Sequence, residues 1–465
     1  MPDLPRLPAD YTLIKLIMSN GSFGSEQMFN KIKGNYKDKK KKIKGRYEER
    51  KKQSDRKVLS YEDVPLDDYE QEKTNLSPKA KKKIVLGICA VLLAGLVVLA
   101  FSNRDKLSWD NISVWWNYDV LGNAGKGYPV NIIGSEVEAR NFSVNQGRVA
   151  YASDTSFITL NSSGSEVANV QLRFSMPVMK YADNKYLTYG IGEKSYQIHD
   201  YDKNLFSGDA EGIIYTGDIA SNGVYCIVSE GNGFFSQLCA YDKNNNRIYK
   251  YSFSEFYITS VALNSDGTRC VACGMTSDNG AVKTGIYVLD FKQEKPVSQY
   301  SIADDAVMDC KYIGGNRSVF IGEKSAYVIT DGSKDYKTVS YSDKLLVNYC
   351  FSPSENSFVL ALSKSGDGRS CTLVRYNNSG DETLTVDNPY GAESLSVFKG
   401  TIAVLDGNNI YSYNSEGRLA FTGDAGTGAR SLIMTADNKA YVLSVNQIRL
   451  ISLDRYSPDA SGDSA

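Results

Sequence analysis

What most constrains this chain is a pattern that returns eight times between residues 142 and 444: a short strand, a tight polar turn, and a second strand rich in apolar residues. The turns lie in "FSVNQGRVAYAS" (142–153), "KYADNKYLTYG" (180–190), "DIASNGVYCIVS" (218–229) and "ALNSDGTRCVACG" (262–274). They continue in "KYIGGNRSVFIG" (311–322), "CFSPSENSFVLAL" (350–362), "SVFKGTIAVLDG" (396–407) and "IMTADNKAYVLS" (433–444). A third strand comes after each pair, as in "SFITLNSSG" or "GIYVLDFKQ", and a more polar fourth closes most units, as in "VANVQLRF" or "RIYKYSF".

Units of about 40 residues with Gly, Asn, Asp and Ser at their turns predict four-stranded blades repeated radially. No unit sustains a 3.6-residue apolar period, which argues against a helical solenoid. The expected fold class is therefore all-β, an eight-bladed β-propeller over residues 128–456. The last unit runs out near Asp454 after its third strand. An unsealed ring would leave open sheet edges, so the lone strand "YPVNIIG" (128–134) is expected to supply the outer strand of the final blade.

The turns in "LNSDGTRCVACG" and "FSPSENSFVLAL" resemble the first strand–strand turn of WD40-like and quinoprotein-like β-propellers. Eight blades behind a membrane anchor also resemble propeller proteins of unknown function from Gram-positive bacteria. No unit carries the Gly-His … Trp-Asp signature of true WD40 repeats. The resemblance implies one of three uses: binding on a loop-rich face, a cofactor in the central funnel, or a rigid scaffold. Fold alone does not choose among them. Quinone-dependent dehydrogenases of this architecture dock their blades with tryptophan, and residues 117–465 contain none. No cofactor is expected.

The second constraint is an 18-residue stretch without a charge, Ile84 to Phe101. As a helix it would rise about 27 Å, enough to cross a bilayer core of roughly 30 Å with snorkelling flanks. A buried core helix is disfavoured because every position around it is apolar or small and a lysine cluster abuts one end, and the stretch lies too far into the chain for a signal peptide. Lys79, Lys81, Lys82 and Lys83 abut its start, whereas only Arg104 and Lys106 lie close beyond its end. The positive-inside rule then leaves the N-terminus in the cytoplasm and residues after 101 outside. The charge division agrees with two surroundings: the overall net charge of −1 conceals a basic head and an acidic body.

Residues 1–83 are expected to be a disordered cytoplasmic tail, because their basic run (31–57) and acidic patch (61–72) lack apolar surface. The basic run is suited to anionic lipid, or to RNA, and equally to a solvated tail that only enforces topology. Residues 1–27 differ in composition from the lysine-rich run that Met28 opens, and translation is expected to begin at Met28. The connector, 102–127, holds all three tryptophans, Trp109, Trp115 and Trp116. They would rest on the outer headgroup layer or pack on the domain beyond. Residues 457–465 are expected to be disordered.

Residues suited to chemistry are few. His199 in "YQIHDYD" is the only histidine and cannot form a multi-histidine metal site; a structural role is expected. "DKNNNR" places Asp242, Asn244 and Asn246 as in a calcium loop, but Arg247 and Phe253 fall where its glycine and glutamate belong. A polar turn is the better reading, and no metal or catalytic residue is assigned. Asp304, Asp305 and Asp309 leave a glycosidase pair open. Seven cysteines lie beyond the span, all in or beside strands, which suits packing better than a disulfide framework. Cys226 and Cys239 are the one candidate bridge. Cys270 and Cys273 form a Cys-x-x-Cys, but an odd offset on a strand points them to opposite faces.

The leading reading is a single-pass membrane protein that displays an extracytoplasmic propeller as a non-enzymatic binding or scaffold module for a protein, peptide or envelope polymer. The alternative is an extracytoplasmic carboxylate-dependent hydrolase or lyase acting on a polysaccharide. In a third reading the tail makes the specific contact and the propeller is an external sensor. No nucleic acid is expected outside.

Overall fold

The computed structural model describes residues 109–453 except 123, 124, 135 and 437. The expected tail, the expected span from Ile84 to Phe101, its flanking lysines (Lys79, Lys81, Lys82, Lys83) and residues 457–465 lie outside the described residues. Among the described residues, no helix is long and apolar enough to cross a membrane.

Residues 130–452 form thirty-two strands in eight four-stranded antiparallel sheets. Seven blades use consecutive strands: residues 142–171, 177–209, 214–253, 257–303, 307–340, 345–388 and 394–424. Each hairpin identified from its turn supplies the first two strands of one blade. The eighth blade is sewn shut. Its strands β30 (Ala429–Ala436), β31 (Lys439–Ser444) and β32 (Gln447–Ser452) are completed by β1 (Val130–Asn131). Val130 pairs with Ile448 and Asn131 with Gln447, antiparallel. The closing strand lies where the sequence placed it, shorter than the 128–134 expected.

Strand chemistry follows position in the blade. The second and third strands are near-continuous apolar runs and are buried on both faces, as in β3 (Arg148–Ala152) and β4 (Ser156–Leu160). The outer strands alternate, as in β9 (Asn204–Asp209), because one side meets solvent. The first strands pack against the first strands of neighbouring blades and form the inner ring. Tight turns use left-handed backbone: Gln146 (φ 52°) and Gly147 (φ 83°) join the first two strands of blade 1.

The core is divided into eight clusters, each shared by two neighbouring blades. One joins blade 8 to blade 1 through Tyr441, Leu443 and Ile448 against Phe142, Val149 and Tyr151. Apolar burial therefore seals the ring all the way round.

Two kinds of edge result. Turns between first and second, and third and fourth, strands lie on one side, the turn face. Loops between second and third strands, and between blades, lie on the other, the loop face.

Candidate functional site

The residues that the sequence singles out divide cleanly once placed. His199 is buried, its Nε2 lies 2.9 Å from the Thr188 hydroxyl, and its ring stacks on Phe157 at 4.3 Å. Burial pulls its pKa down to about 3, so it is a neutral packing residue at ordinary pH. Asp242 accepts the backbone N–H groups of Asn244 (2.9 Å) and Asn246 (2.8 Å), and the Asn246 side chain at 3.0 Å. That closes an Asx-type turn. Among the described residues no three His, Cys, Asp or Glu side chains gather into a metal-binding group.

The thiols are packing residues. All seven described cysteines are free. The candidate bridge between Cys226 and Cys239 is absent: Cys226 lies opposite Ala240 and Cys239 opposite Ile227. This one-residue offset sends the two thiols to opposite faces of the sheet. Cys270 and Cys273 also face opposite ways, as their spacing required. Cys270 belongs to the core between blades 3 and 4 with Cys226, and Cys273 to that between blades 4 and 5 with Cys310. Burial, with Cys226 alongside, raises the Cys270 thiol well above its ordinary range; the Cys310 contact and burial do the same for Cys273.

The carboxylates near the axis tie blades together. Asp218 (blade 3) accepts Leu263 N–H of blade 4 at 2.8 Å and pairs with Lys311 of blade 5 at 3.6 Å. Asp309 (blade 5) accepts the Ser260 hydroxyl of blade 4 (2.7 Å), Cys310 N–H (2.8 Å) and the Tyr349 hydroxyl of blade 6 (3.0 Å). Burial and Asp309 push the Tyr349 hydroxyl pKa up. Asp305 is buried, accepting Tyr327 OH at 2.7 Å and Lys324 N–H at 3.0 Å, while exposed Asp304 pairs with Lys324. Lys180 of blade 2 completes the arc. Burial opposes its charge, but Tyr189, Asp309 and Asp218 outweigh this and raise its pKa. Lys311 thus pairs with Asp218, and each aspartate is committed to neighbouring blades. Neither carboxylate is left to act as a paired acid and base.

Two other surfaces are open. A groove of about 400 Å³ on the turn face between blades 2 and 3 is lined by Lys185, Lys243, Asn245, Tyr225 and Phe206, with no acidic residue. The loop face instead gathers large apolar side chains: Met176, Ile213, Phe234, Phe235, Tyr257 and Met308 are all exposed there. Tyr257, 51 % exposed, anchors the densest part. Phe235 meets it edge-on at 4.8 Å and Tyr215 at 6.5 Å. The Gly233 backbone (φ 81°) takes a turn open mainly to glycine and delivers Phe234 and Phe235 to the surface. Beside them the hairpin of β15 (Arg269–Asp278) and β16 (Ala281–Asp290) continues past the Tyr257–Met275 pair and projects from the face.

The sequence did not reveal this cluster. Its members come from three separate segments of blades 3 and 4, and no local pattern relates them. The only local sign was the "GNGFF" loop (231–235).

Strand order and register define the class: an eight-bladed β-propeller closed by an N-terminal strand. The chain belongs to DUF5711, a family of unknown function, whose pattern matches residues 130–453, from the start of the closing strand to the end of the last blade. Among curated proteins nothing matches. Similar solved structures include a eukaryotic initiation factor, at TM-score 0.49 and 12 % identity, covering 72 % of this chain and 89 % of that one. BamB from Moraxella catarrhalis aligns at TM-score 0.44 and 12 % identity, over 70 % of this chain and 100 % of its own. Apo AztD from Citrobacter koseri aligns at TM-score 0.48 and 11 % identity, over 63 % and 88 %.

Proposed function

We propose that this chain is a single-pass membrane protein whose propeller, held outside the membrane by residues 84–101, binds a protein or peptide on its loop face without catalysis. A Gram-positive envelope is the setting its sequence resemblance implies. The observation that carries the binding reading is the exposed aromatic cluster of Tyr257, Phe235 and Phe234, backed by half-buried Tyr215. A contiguous exposed apolar patch costs solubility, and patches of this kind mark interaction surfaces. Aromatic side chains also dominate the energetic centres of protein interfaces. The hydrolase reading loses ground because Asp218 and Asp309 are committed to blade contacts.

The test is Phe235→Asp with Tyr257→Asp in the full chain, expressed in its own membrane and crosslinked in intact cells. The variant is expected to melt like the parent, since both side chains are exposed, while losing the crosslinked partner. An unchanged partner on a folded variant overturns the loop-face assignment.

A further inference from the structure

We propose that the turn face rests on the bilayer, with Trp115 and Trp116 seated among the lipid headgroups, so that the aromatic loop face is presented away from the membrane. This rests on the reading of residues 84–101 as a span.

Chain direction fixes the side from which the connector arrives. β1 leads through residues 132–141 into β2 (Phe142–Asn145), a first strand that starts at the loop face. Its other end, and the chain before it, must therefore lie at the turn face. The contacts agree: Gly125 and Gly127 N–H groups donate to Ser163 Oγ (2.8 Å) and Ser163 O (3.0 Å) in a turn of blade 1.

The connector is clamped there. Helix α1 (Trp109–Val114) runs into a π-helical turn, Trp115–Val120. Tyr118 donates to Asp202 of blade 2 at 2.8 Å and packs edge-on against Tyr201 at 5.6 Å. Asn161 Nδ2 donates to Tyr118 O at 3.0 Å. Asp119 accepts the Ser162 hydroxyl at 2.6 Å and pairs with buried Arg148 at 3.6 Å. Trp115 and Trp116 thus ride on a fixed element, yet each is 49 % exposed, with ring centroids 6.1 Å apart.

Indoles exposed in this way suit one environment well, the bilayer interface, where an amphipathic ring sits at headgroup level. Reach permits it: Trp109 lies only eight residues beyond Phe101, a separation of at most about 28 Å when extended. Unpaired cations are available on that side. Lys126, Lys203, Lys243, Lys292, Lys334 and Lys399 are exposed on the turn side and form no ion pair among the described residues. An anionic headgroup layer attracts these unpaired lysines.

All three tryptophans of the chain lie in the connector, so native fluorescence reads this contact directly. The full chain is reconstituted into vesicles of phosphatidylcholine and phosphatidylglycerol, some carrying bromine on the upper acyl carbons. The chain is expected to float with the vesicles, to lose most of its tryptophan emission to the bromolipid, and to resist quenching by aqueous iodide. Trp115→Ala with Trp116→Ala should leave flotation intact and remove most of the bromolipid-sensitive emission. A chain that floats yet is quenched by iodide and not by bromolipid overturns the seating while leaving the span intact. A chain that fails to float overturns the span, and the seating with it.

Discussion

The guanidinium of Arg148 lies 3.6 Å from the carboxylate of Asp119, with the two side chains only 1 % and 8 % exposed. Blade 1 supplies the cation and the connector supplies the anion. Residues 109–122 of the connector are therefore part of the folded unit, because without Asp119 blade 1 would carry a bare buried charge.

Removing one partner of such a pair strands the other. Asp119→Asn is expected to cost about 3–5 kcal/mol of stability, well beyond the value of an exposed ion pair. Replacing both, with Arg148→Met and Asp119→Leu, should cost clearly less than Asp119→Asn alone. Denaturant titration of the three variants against the parent reads the difference. Additive losses would mean that the pair does not couple connector to blade.

His199 sets a pH dependence with a definite sign. Its pKa falls from the ordinary histidine value to about 3 on folding, through burial. A group depressed in this way stabilises fully above its unfolded pKa of about 6.5 and loses that contribution as pH falls towards 3. The slope is about 1.4 kcal/mol per pH unit in that window. Unfolding free energy should decline with acidity below about pH 6.5 in the parent and more shallowly in His199→Gln. Because the chain has one histidine, a proton resonance from its ring that titrates near pH 6.5 in the folded protein would contradict this.

The thiols make a chemical prediction. Cys226, Cys270, Cys273 and Cys310 are buried, and burial holds Cys350 up at about 12. Since the thiolate is the reactive form, these cysteines should resist an alkylating reagent at neutral pH until the protein is denatured. Reductant should leave the intact mass unchanged, because none of the seven described cysteines is bridged. Rapid labelling of Cys270 and Cys273 together would mean that the blade 4 interfaces are open.

Local patterns carried the fold further than the site. The eight hairpins were legible because turn residues and buried strand runs are properties of short segments. Cys270 and Cys273 were legible because alternation along a strand fixes which face each side chain meets. The Cys226–Cys239 pairing failed for a related reason: flanking a hairpin at similar distances does not fix register, and a one-residue offset reverses a face. Contacts between blades were out of reach altogether. Lys311 meets Asp218 from two blades away, and Tyr257 meets Phe235 across a blade boundary. Only the closed ring brings such residues together.

The central claim is that the propeller works through its loop face. A photoreactive phenylalanine analogue placed at Tyr257, and separately at Leu419 on the outer strand of blade 7, tests it in the full chain in intact cells. Both positions are exposed, at 51 % and 47 %, so accessibility does not distinguish them. A discrete adduct from position 257 and none from position 419 is the expected result. Adducts from 419 alone, or from neither position, would contradict the claim.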